Sequence, residues 1–151
     1  DNVKSQLINK GAKNIAVINV PDVGGAPAFI ADPQSAGLAR ALLKVFNDKL
    51  AADIKSLPNV LFVDAFAESQ RQAANPAQYG LSNITDMACA VGVPPNNLFL
   101  NKSSLGCSSA TVIPGDISHY LYADSVHPTP YGHQMLSNYF LTALAASNLG
   151  R

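Results

Sequence analysis

Two short apolar runs joined by one long helix constrain the fold of this chain most. Asn14–Val20 reads NIAVINV and Asn59–Phe66 reads NVLFVDAF, which is the β-branched, non-alternating composition of strands buried on both faces. Between them, Asp32 is typical of an N-cap and Pro33 of a first helical position, and apolar residues then recur every three or four positions until Pro58. A strand–helix–strand order favours parallel strands joined by a crossover. The sequence therefore predicts an α/β fold with a parallel sheet.

The remaining elements are shorter. They are a helix over residues 3–10 ended by Gly11, a short helix over 68–74, a brief strand over 120–123 and a last helix capped by Thr129. The rest of 67–119 is expected to be irregular. Because a parallel sheet usually has about five strands and only two are convincing here, we expect half a sheet. The chain begins at Asp1 without an initiator methionine or a signal peptide, so we expect a processed or excised piece of one domain.

Charge and hydropathy exclude several classes of protein. Ten Lys and Arg residues balance ten Asp and Glu residues, so the net charge is zero and the basic footprint of a nucleic-acid binder is missing. No apolar run reaches the roughly 18 residues that a transmembrane helix needs. With 48% hydrophobic residues, the chain is apolar enough to bury a core rather than remain disordered.

The two cysteines, Cys89 and Cys107, bear on the compartment. The residues between them include Gly92, Pro94-Pro95 and Gly106, a composition typical of loops that can bring two cysteines within disulfide range. We expect a disulfide and an exported, extracellular protein. The alternative is a pair of buried free thiols in a cytosolic protein. No Cys-x-x-Cys motif is present to indicate zinc or thioredoxin-like chemistry.

The stretch from Tyr122 to Thr129 carries the chemistry. Asp124 precedes His127 by three residues, so on a tight bend its carboxylate can accept from the imidazole Nδ1–H. That contact leaves Nε2 free as a general base, the role of histidine in a Ser-His-Asp triad. Pro128 favours an extended conformation at His127, which lets the ring project from the head of the last helix. The spacing alone also fits an Asp/His turn that merely caps a helix.

The wider sequence around this stretch resembles a known family. Asp124-Ser-Val-His127-Pro128-Thr129, followed by Gly132-His133, resembles the last conserved block of the GDSL, or SGNH, serine esterases and lipases. Upstream, three further stretches are similar to segments of that family: Asn19–Pro27, Phe46–Leu50 with Phe62–Asp64 after it, and Tyr79–Cys89. The resemblance runs over nearly the whole chain, and Asp-x-x-His-Pro-Thr is its most specific part.

The resemblance implies a three-layer α/β/α hydrolase of flavodoxin-like architecture. Asp124 would orient His127, which would act as general base and then as general acid toward the leaving alcohol. The family's nucleophilic serine, in a Gly-Asp-Ser motif, and its oxyanion-hole glycine and asparagine come from earlier blocks that this chain lacks. We therefore expect residues 1–151 to be the carboxyl-terminal part of one hydrolase domain, inactive alone. Its expected partners are the amino-terminal fragment of that domain and an ester or lipid substrate, with no cofactor and no metal.

Other candidate residues fit the chemistry less well. No serine lies in a Gly-x-Ser-x-Gly motif, and Ser118, in Gly-Asp-Ile-Ser, does not follow a strand, so we interpret it and Ser125 as turn residues. We expect His119 at the surface and His133 packed on the last helix. Asp22 follows the first predicted strand and Asp64 lies near the carboxyl end of the second; a turn-forming role is favoured for Asp22 over one in a substrate cleft, and Asp64 is ambiguous.

Two other functions remain open beside ester hydrolysis. One is a non-catalytic, disulfide-bonded extracellular module that keeps the hydrolase core. The other is acyl transfer to an alcohol instead of water by the same residues, Asp124 and His127. Product analysis with a competing alcohol would separate transfer from hydrolysis.

Overall fold

The computed structural model describes residues 2–89 and 104–149 of the chain. Their helices and strands follow one another in the order β1 (Ile15–Ile18), α1 (Pro27–Ile30), α2 (Pro33–Ile54), β2 (Val60–Val63), α3 (Ala65–Ala74), β3 (Asn83–Met87), β4 (Tyr120–Tyr122) and α4 (Pro130–Ala146). In the described part, the strands form two parallel pairs, β1 with β2 and β3 with β4. The predicted α/β class with parallel strands is confirmed.

The first pair is a strand–helix–strand crossover, as predicted. β1 and β2 run in register from Ile15 opposite Val60 to Ile18 opposite Val63. The connecting helix α2 begins at the predicted cap, where the Asp32 carboxylate accepts from the backbone N–H of Gln34 at 3.0 Å. Both strands are shorter than the apolar runs that indicate them, because the chain turns away from the sheet immediately after each one.

The second pair corrects the prediction for residues 67–119. β3 lies in this stretch, which we expected to be irregular, and pairs parallel with β4 from Asn83 opposite Tyr120 to Met87 opposite Tyr122. The sequence NITDM places polar side chains at three of five positions and shows no apolar run. This strand is formed by backbone pairing with β4, which sequence periodicity does not reveal.

The first residues and the loop after β1 differ in detail from expectation. Residues 3–10 are helical, as predicted, but as a π-helical turn followed by a 3-10 turn. They end at Gly11, whose φ of 94° is the left-handed conformation expected there. The loop after β1 contains a 3-10 turn, Val23–Gly25, and the short helix α1, neither of which the Pro- and Gly-rich composition indicated.

Among the described residues, other elements pack against one side of α2 and leave its other side exposed. Three residues of this helix are buried: Ala36, Asn47 and Ile54. Four large apolar side chains on the helix are 55% to 70% exposed: Leu38, Leu42, Val45 and Phe46. Apolar residues at the helical spacing therefore predicted the helix correctly but did not all become core.

Candidate active site

The candidate site is a tight turn between β4 and α4. The chain folds back on itself, so that the Ala123 N–H donates to the His127 carbonyl at 2.9 Å and the Thr129 N–H donates to the Leu121 carbonyl at 2.9 Å. Thr129 then caps α4, where its hydroxyl accepts from the Gly132 N–H at 3.1 Å. Short-range backbone bonds on both sides thus hold the Asp-x-x-His segment in one conformation.

Asp124 lies inside this turn, with its side chain fully buried. Its Oδ1 accepts from the backbone N–H groups of Val126 at 2.8 Å and His127 at 2.6 Å. Its Oδ2 accepts from the His127 ring and from the backbone N–H of Ser104. Burial raises the pKa of Asp124, but the backbone N–H groups of His127, Val126 and Ser104 and the His127 ring outweigh it and hold that pKa at about 2. The carboxylate is therefore ionised at neutral pH.

The ionised carboxylate determines the tautomer of His127. Its Nδ1 lies 2.8 Å from Oδ2 of Asp124, and because an ionised carboxylate only accepts, Nδ1 carries the proton. The lone pair then resides on Nε2. The His127 side chain is 61% exposed, so its ring is accessible from solvent. The arrangement can accept a proton from a nucleophile brought against the ring, and the catalytic roles of Asp124 and His127 remain a prediction.

The loop after β1 contacts the turn. The Ala28 N–H donates to the carbonyl of Ser125 at 2.9 Å, so α1 supports the tip of the turn. Asp22 accepts from the Gly24 N–H at 3.0 Å and pairs with Arg40 of α2 at 2.9 Å. Asp22 therefore forms a turn, as favoured from the sequence. The sequence analysis missed Arg40, whose role depends on a contact between two separate elements that no local pattern reports.

Burial and the Asp22–Arg40 ion pair shift the pKa of Tyr122. Burial raises the pKa of the Tyr122 phenol to about 12; the charge of Asp22 adds to the effect and that of Arg40 opposes it. The phenol therefore stays neutral over the ordinary range of pH.

The predicted disulfide joins Cys89 and Cys107, whose Cα atoms lie 5.9 Å apart. It places a 3-10 turn, Ser104–Gly106, against the buried Asp124, and Ser104 supplies a backbone donor to the carboxylate. Sequence reasoning missed this donor, because a backbone N–H carries no residue signature. Of the residues named in the prediction, Gly92 and Pro94-Pro95 lie in 90–103, outside the described residues, whereas Gly106 ends the 3-10 turn.

Ser118, His119 and His133 are all exposed side chains. The Ser118 hydroxyl donates to Asp116 at 2.6 Å within an exposed turn, which fits its interpretation as a turn residue. His119 is exposed, as expected, and stacks on Tyr131 with ring centroids 4.3 Å apart. His133 is exposed on α4, so the expectation that it packs is wrong: its position on the helix faces solvent.

Asp64 has a structural role at the end of β2. Its carboxylate accepts from the Ala67 N–H at 3.0 Å and so caps α3, and it also accepts from the side chain of Asn19 at 2.8 Å. The two strand ends are therefore held together by a hydrogen bond between side chains.

The described residues contain neither a metal-binding cluster nor a membrane-spanning helix. Across 2–89 and 104–149, no three or more His, Cys, Asp and Glu side chains converge in a group suited to hold a metal ion. Among the helices of the same residues, none combines the length and the apolar character needed to cross a bilayer.

Comparison with known proteins identifies relatives along most of the chain. A GDSL esterase/lipase of Arabidopsis thaliana is 27% identical over 150 residues, which cover 90% of this chain and 35% of that protein. A second from the same plant is 26% identical over 149 residues, covering 91% of this chain and 39% of its own length. Esterase EstA of Pseudomonas aeruginosa is 31% identical over 138 residues, which cover 89% of this chain and 20% of EstA. The chain therefore spans two fifths or less of the length of these relatives.

A family profile covers still more of the chain. The profile described as GDSL-like lipase/acylhydrolase matches residues 1–140, from before β1 to within α4. The match includes both parallel strand pairs and the turn that holds Asp124 and His127. With the parallel strands and the helices between them, it accounts for the fold as part of an α/β/α domain. The chain belongs to the GDSL-like lipase/acylhydrolase family.

Proposed function

We propose that this chain is the carboxyl-terminal part of a secreted carboxylic ester hydrolase that acts through a Ser-His-Asp triad. One observation carries the proposal: a fully buried, ionised Asp124 accepts the Nδ1 proton of a solvent-accessible His127 at 2.8 Å. The lone pair on Nε2 is then available to a nucleophile. Family membership and relatives named as esterases and lipases support ester hydrolysis as the reaction.

The proposed mechanism needs groups outside this chain. A serine hydroxyl would give its proton to His127 Nε2 while its oxygen attacks the ester carbonyl carbon. His127 would return the proton to the leaving alcohol as the C–O bond breaks, and water would then release the acid by the same route. We assign the serine and the oxyanion donors to an amino-terminal segment of the same domain, because no serine of this chain lies in the family's Gly-Asp-Ser motif.

The free edge of β1 supports that assignment. In the described residues β1 pairs with β2 on one side, and Ile18 at its end is 40% exposed. An open, apolar strand edge is a template for another strand. We propose that the amino-terminal segment adds its strands beside β1. The disulfide between Cys89 and Cys107 supports an oxidising, extracellular compartment.

An apolar cavity beside His127 supports a substrate with an apolar part. The cavity has a volume of about 180 Å³, and Val126 and Pro128 line it from either side of His127. Pockets of this character usually take the apolar portion of a ligand. The remaining apolar lining comes from Pro21, Val23, Ala65, Leu121, Gly132 and Leu136, and the polar lining from Asp22, Glu68, Ser69, Gln72 and Tyr122. We expect the acyl or alcohol chain of the ester to enter here.

Replacement of His127 by alanine in the protein that includes the amino-terminal segment tests the proposal. We expect His127→Ala to lower kcat for ester hydrolysis by roughly 10⁴-fold, since it removes the group that we assign to move the proton. The matched control is His133→Ala, which removes an exposed histidine of α4 and should leave kcat unchanged. A His127→Ala protein of undiminished activity contradicts the proposal.

Labelling with a serine-reactive fluorophosphonate, read by mass spectrometry after denaturation, locates the nucleophile. The label is expected on a serine of the amino-terminal segment, and a label on a serine of this chain would contradict that part of the proposal. Product analysis with a competing alcohol then distinguishes hydrolysis from acyl transfer.

A further inference from the structure

The disulfide is connected to the candidate site through two backbone contacts. Cys89 lies two residues after the end of β3 and is buried, and its N–H donates to the carbonyl of Ala123 at 3.0 Å. Ala123 immediately precedes Asp124 in the chain. One half of the disulfide is therefore hydrogen-bonded to the residue that precedes Asp124, just after the end of β4.

The other half of the disulfide holds the turn that supplies a donor to Asp124. The Cys107 N–H donates to the carbonyl of Ser104 at 2.9 Å, which closes the 3-10 turn Ser104–Gly106. The backbone N–H of Ser104 points at Oδ2 of Asp124. Cys107 directly follows this turn and is bonded to Cys89. The disulfide therefore helps to fix the Ser104 N–H relative to the carboxylate.

The segment that follows Cys107 has its own attachment to the fold. The Ile113 N–H donates to the carbonyl of Ala88 at 3.0 Å, and Val112 forms a bridge with Cys89. These contacts do not involve the turn Ser104–Gly106. The turn is itself tied to this segment by the Thr111 hydroxyl, which donates to the Gly106 carbonyl at 3.1 Å. Loss of the disulfide should leave this weaker tie and loosen the turn locally, while the strand pair β3 and β4 remains in place.

The donor from Ser104 matters because of the oxygen it contacts. Oδ2 of Asp124 accepts both from Ser104 N–H and from the Nδ1–H of His127, whereas Oδ1 accepts from the turn's own backbone. The Ser104 N–H thus constrains the one carboxylate oxygen that orients the imidazole. Without the Ser104 N–H, the exposed His127 ring is the remaining partner of Oδ2 among these bonds. The position of Oδ2, and with it the orientation of the imidazole, is then less tightly fixed.

We propose that the Cys89–Cys107 disulfide positions the catalytic acid by holding the Ser104 backbone N–H on Oδ2 of Asp124. The inference rests on the proposed function, since it assigns Ser104 as a positioning residue for that reaction. It also implies that the hydrolase works at its full rate only when the disulfide is formed, which makes its activity sensitive to reduction.

A pair of substitutions at Ser104, made in the protein with its amino-terminal segment, isolates the N–H. Ser104→Pro removes the donor and puts a ring methylene in its place, whereas Ser104→Ala retains the donor; because both lack the hydroxyl, their ratio reports on the change at this backbone nitrogen. Ser104 begins its 3-10 turn, where the fixed φ of proline is compatible with the backbone. We expect kcat of Ser104→Pro to be about tenfold below that of Ser104→Ala with KM little changed, the loss typical of one hydrogen bond to a charged group.

Removal of the disulfide tests the other half of the proposal. The double substitution Cys89→Ala with Cys107→Ala is expected to lower kcat by a similar factor of about ten, because the same N–H is lost. When the double substitution is combined with Ser104→Pro, kcat should fall almost no further than in Ser104→Pro alone, since both changes act on one contact. A full additional loss in the combined variant, or equal kcat for Ser104→Pro and Ser104→Ala, would overturn the inference.

A readout without substrate separates this inference from the proposed function. In proton NMR spectra, exchange of the His127 Nδ1–H with water should be about tenfold faster in Ser104→Pro than in Ser104→Ala, since the bond to Asp124 is less well held. Equal exchange rates overturn the positioning role whatever the activity. If exchange is faster in Ser104→Pro but the His127→Ala variant keeps its esterase activity, the proposed function is refuted. The contact between Ser104 and Asp124 is then still supported.

Discussion

The turn that holds Asp124 and the outer face of α2 differ sharply in how well the described residues cover their side chains. A charged carboxylate is fully buried in the turn and accepts four hydrogen bonds. On α2, by contrast, large apolar side chains such as Leu42 and Phe46 are more than half exposed. The polar group is sheltered and the apolar groups are not, which reverses the usual distribution.

The contrast shows that the two regions differ in which parts of the protein supply their contacts. The hydrogen bonds of Asp124 come from Val126 and His127, two and three residues further along, and from a turn next to a disulfide, so this chain supplies all of them. Burial of a helix face needs a second element packed against it. The chemistry of the turn is thus complete within the described residues, whereas the packing of α2 is not.

The largest expected effect on stability is a loss of hydrogen bonding to Asp124 in acid. Because the pKa of Asp124 is lowered from 3.8 to about 2, its ionised form stabilises the fold above pH 3.8. That contribution, about 2 kcal/mol, should disappear as the pH falls from 3.8 through about 2. Urea denaturation across this range would measure it. Asp124→Asn should lack this part of the pH dependence, and an unchanged pH dependence in that variant would contradict the assignment.

The cap that joins the turn to α4 should have an intermediate effect. Thr129 is buried, accepts from the Gly132 N–H and donates to the carbonyl of Tyr120. Thr129→Ala leaves both groups without this partner and should lower the free energy of unfolding by about 1 to 2 kcal/mol. Thr129→Ser keeps the hydroxyl and serves as the matched control in the same denaturation experiment. Equal losses in the two variants would assign the effect to the methyl group instead.

The smallest effect is expected on the outer face of α2. Leu42 is 62% exposed and the adjacent Leu43 is half-buried, so Leu42→Gln should change the free energy of unfolding by no more than about 0.5 kcal/mol. Leu43→Gln should cost more. The comparison in thermal or chemical denaturation is direct, because the two substitutions are chemically identical. Equal costs would mean that another part of the protein covers Leu42, and the contrast between the two regions would then disappear.

The sequence by itself determined the elements that depend on neighbouring residues. The apolar runs predicted β1 and β2, Asp32 and Thr129 predicted the starts of α2 and α4, and Gly11 predicted the first helical stop. The spacing of Asp124 and His127 predicted their contact, because a three-residue turn brings the two side chains together without help from the rest of the fold. All of these features rest on caps, periodicity and short turns.

Only the tertiary structure decided the features that depend on contacts between distant segments. The polar strand β3 exists because its backbone pairs with β4, and its side chains carry no signal of that pairing. Arg40 meets Asp22 across two elements, and Ser104 reaches Asp124 through a backbone N–H that every residue except proline possesses. A local pattern records what a residue is, whereas pairing of strands and burial of charges depend on which distant groups the fold brings beside it.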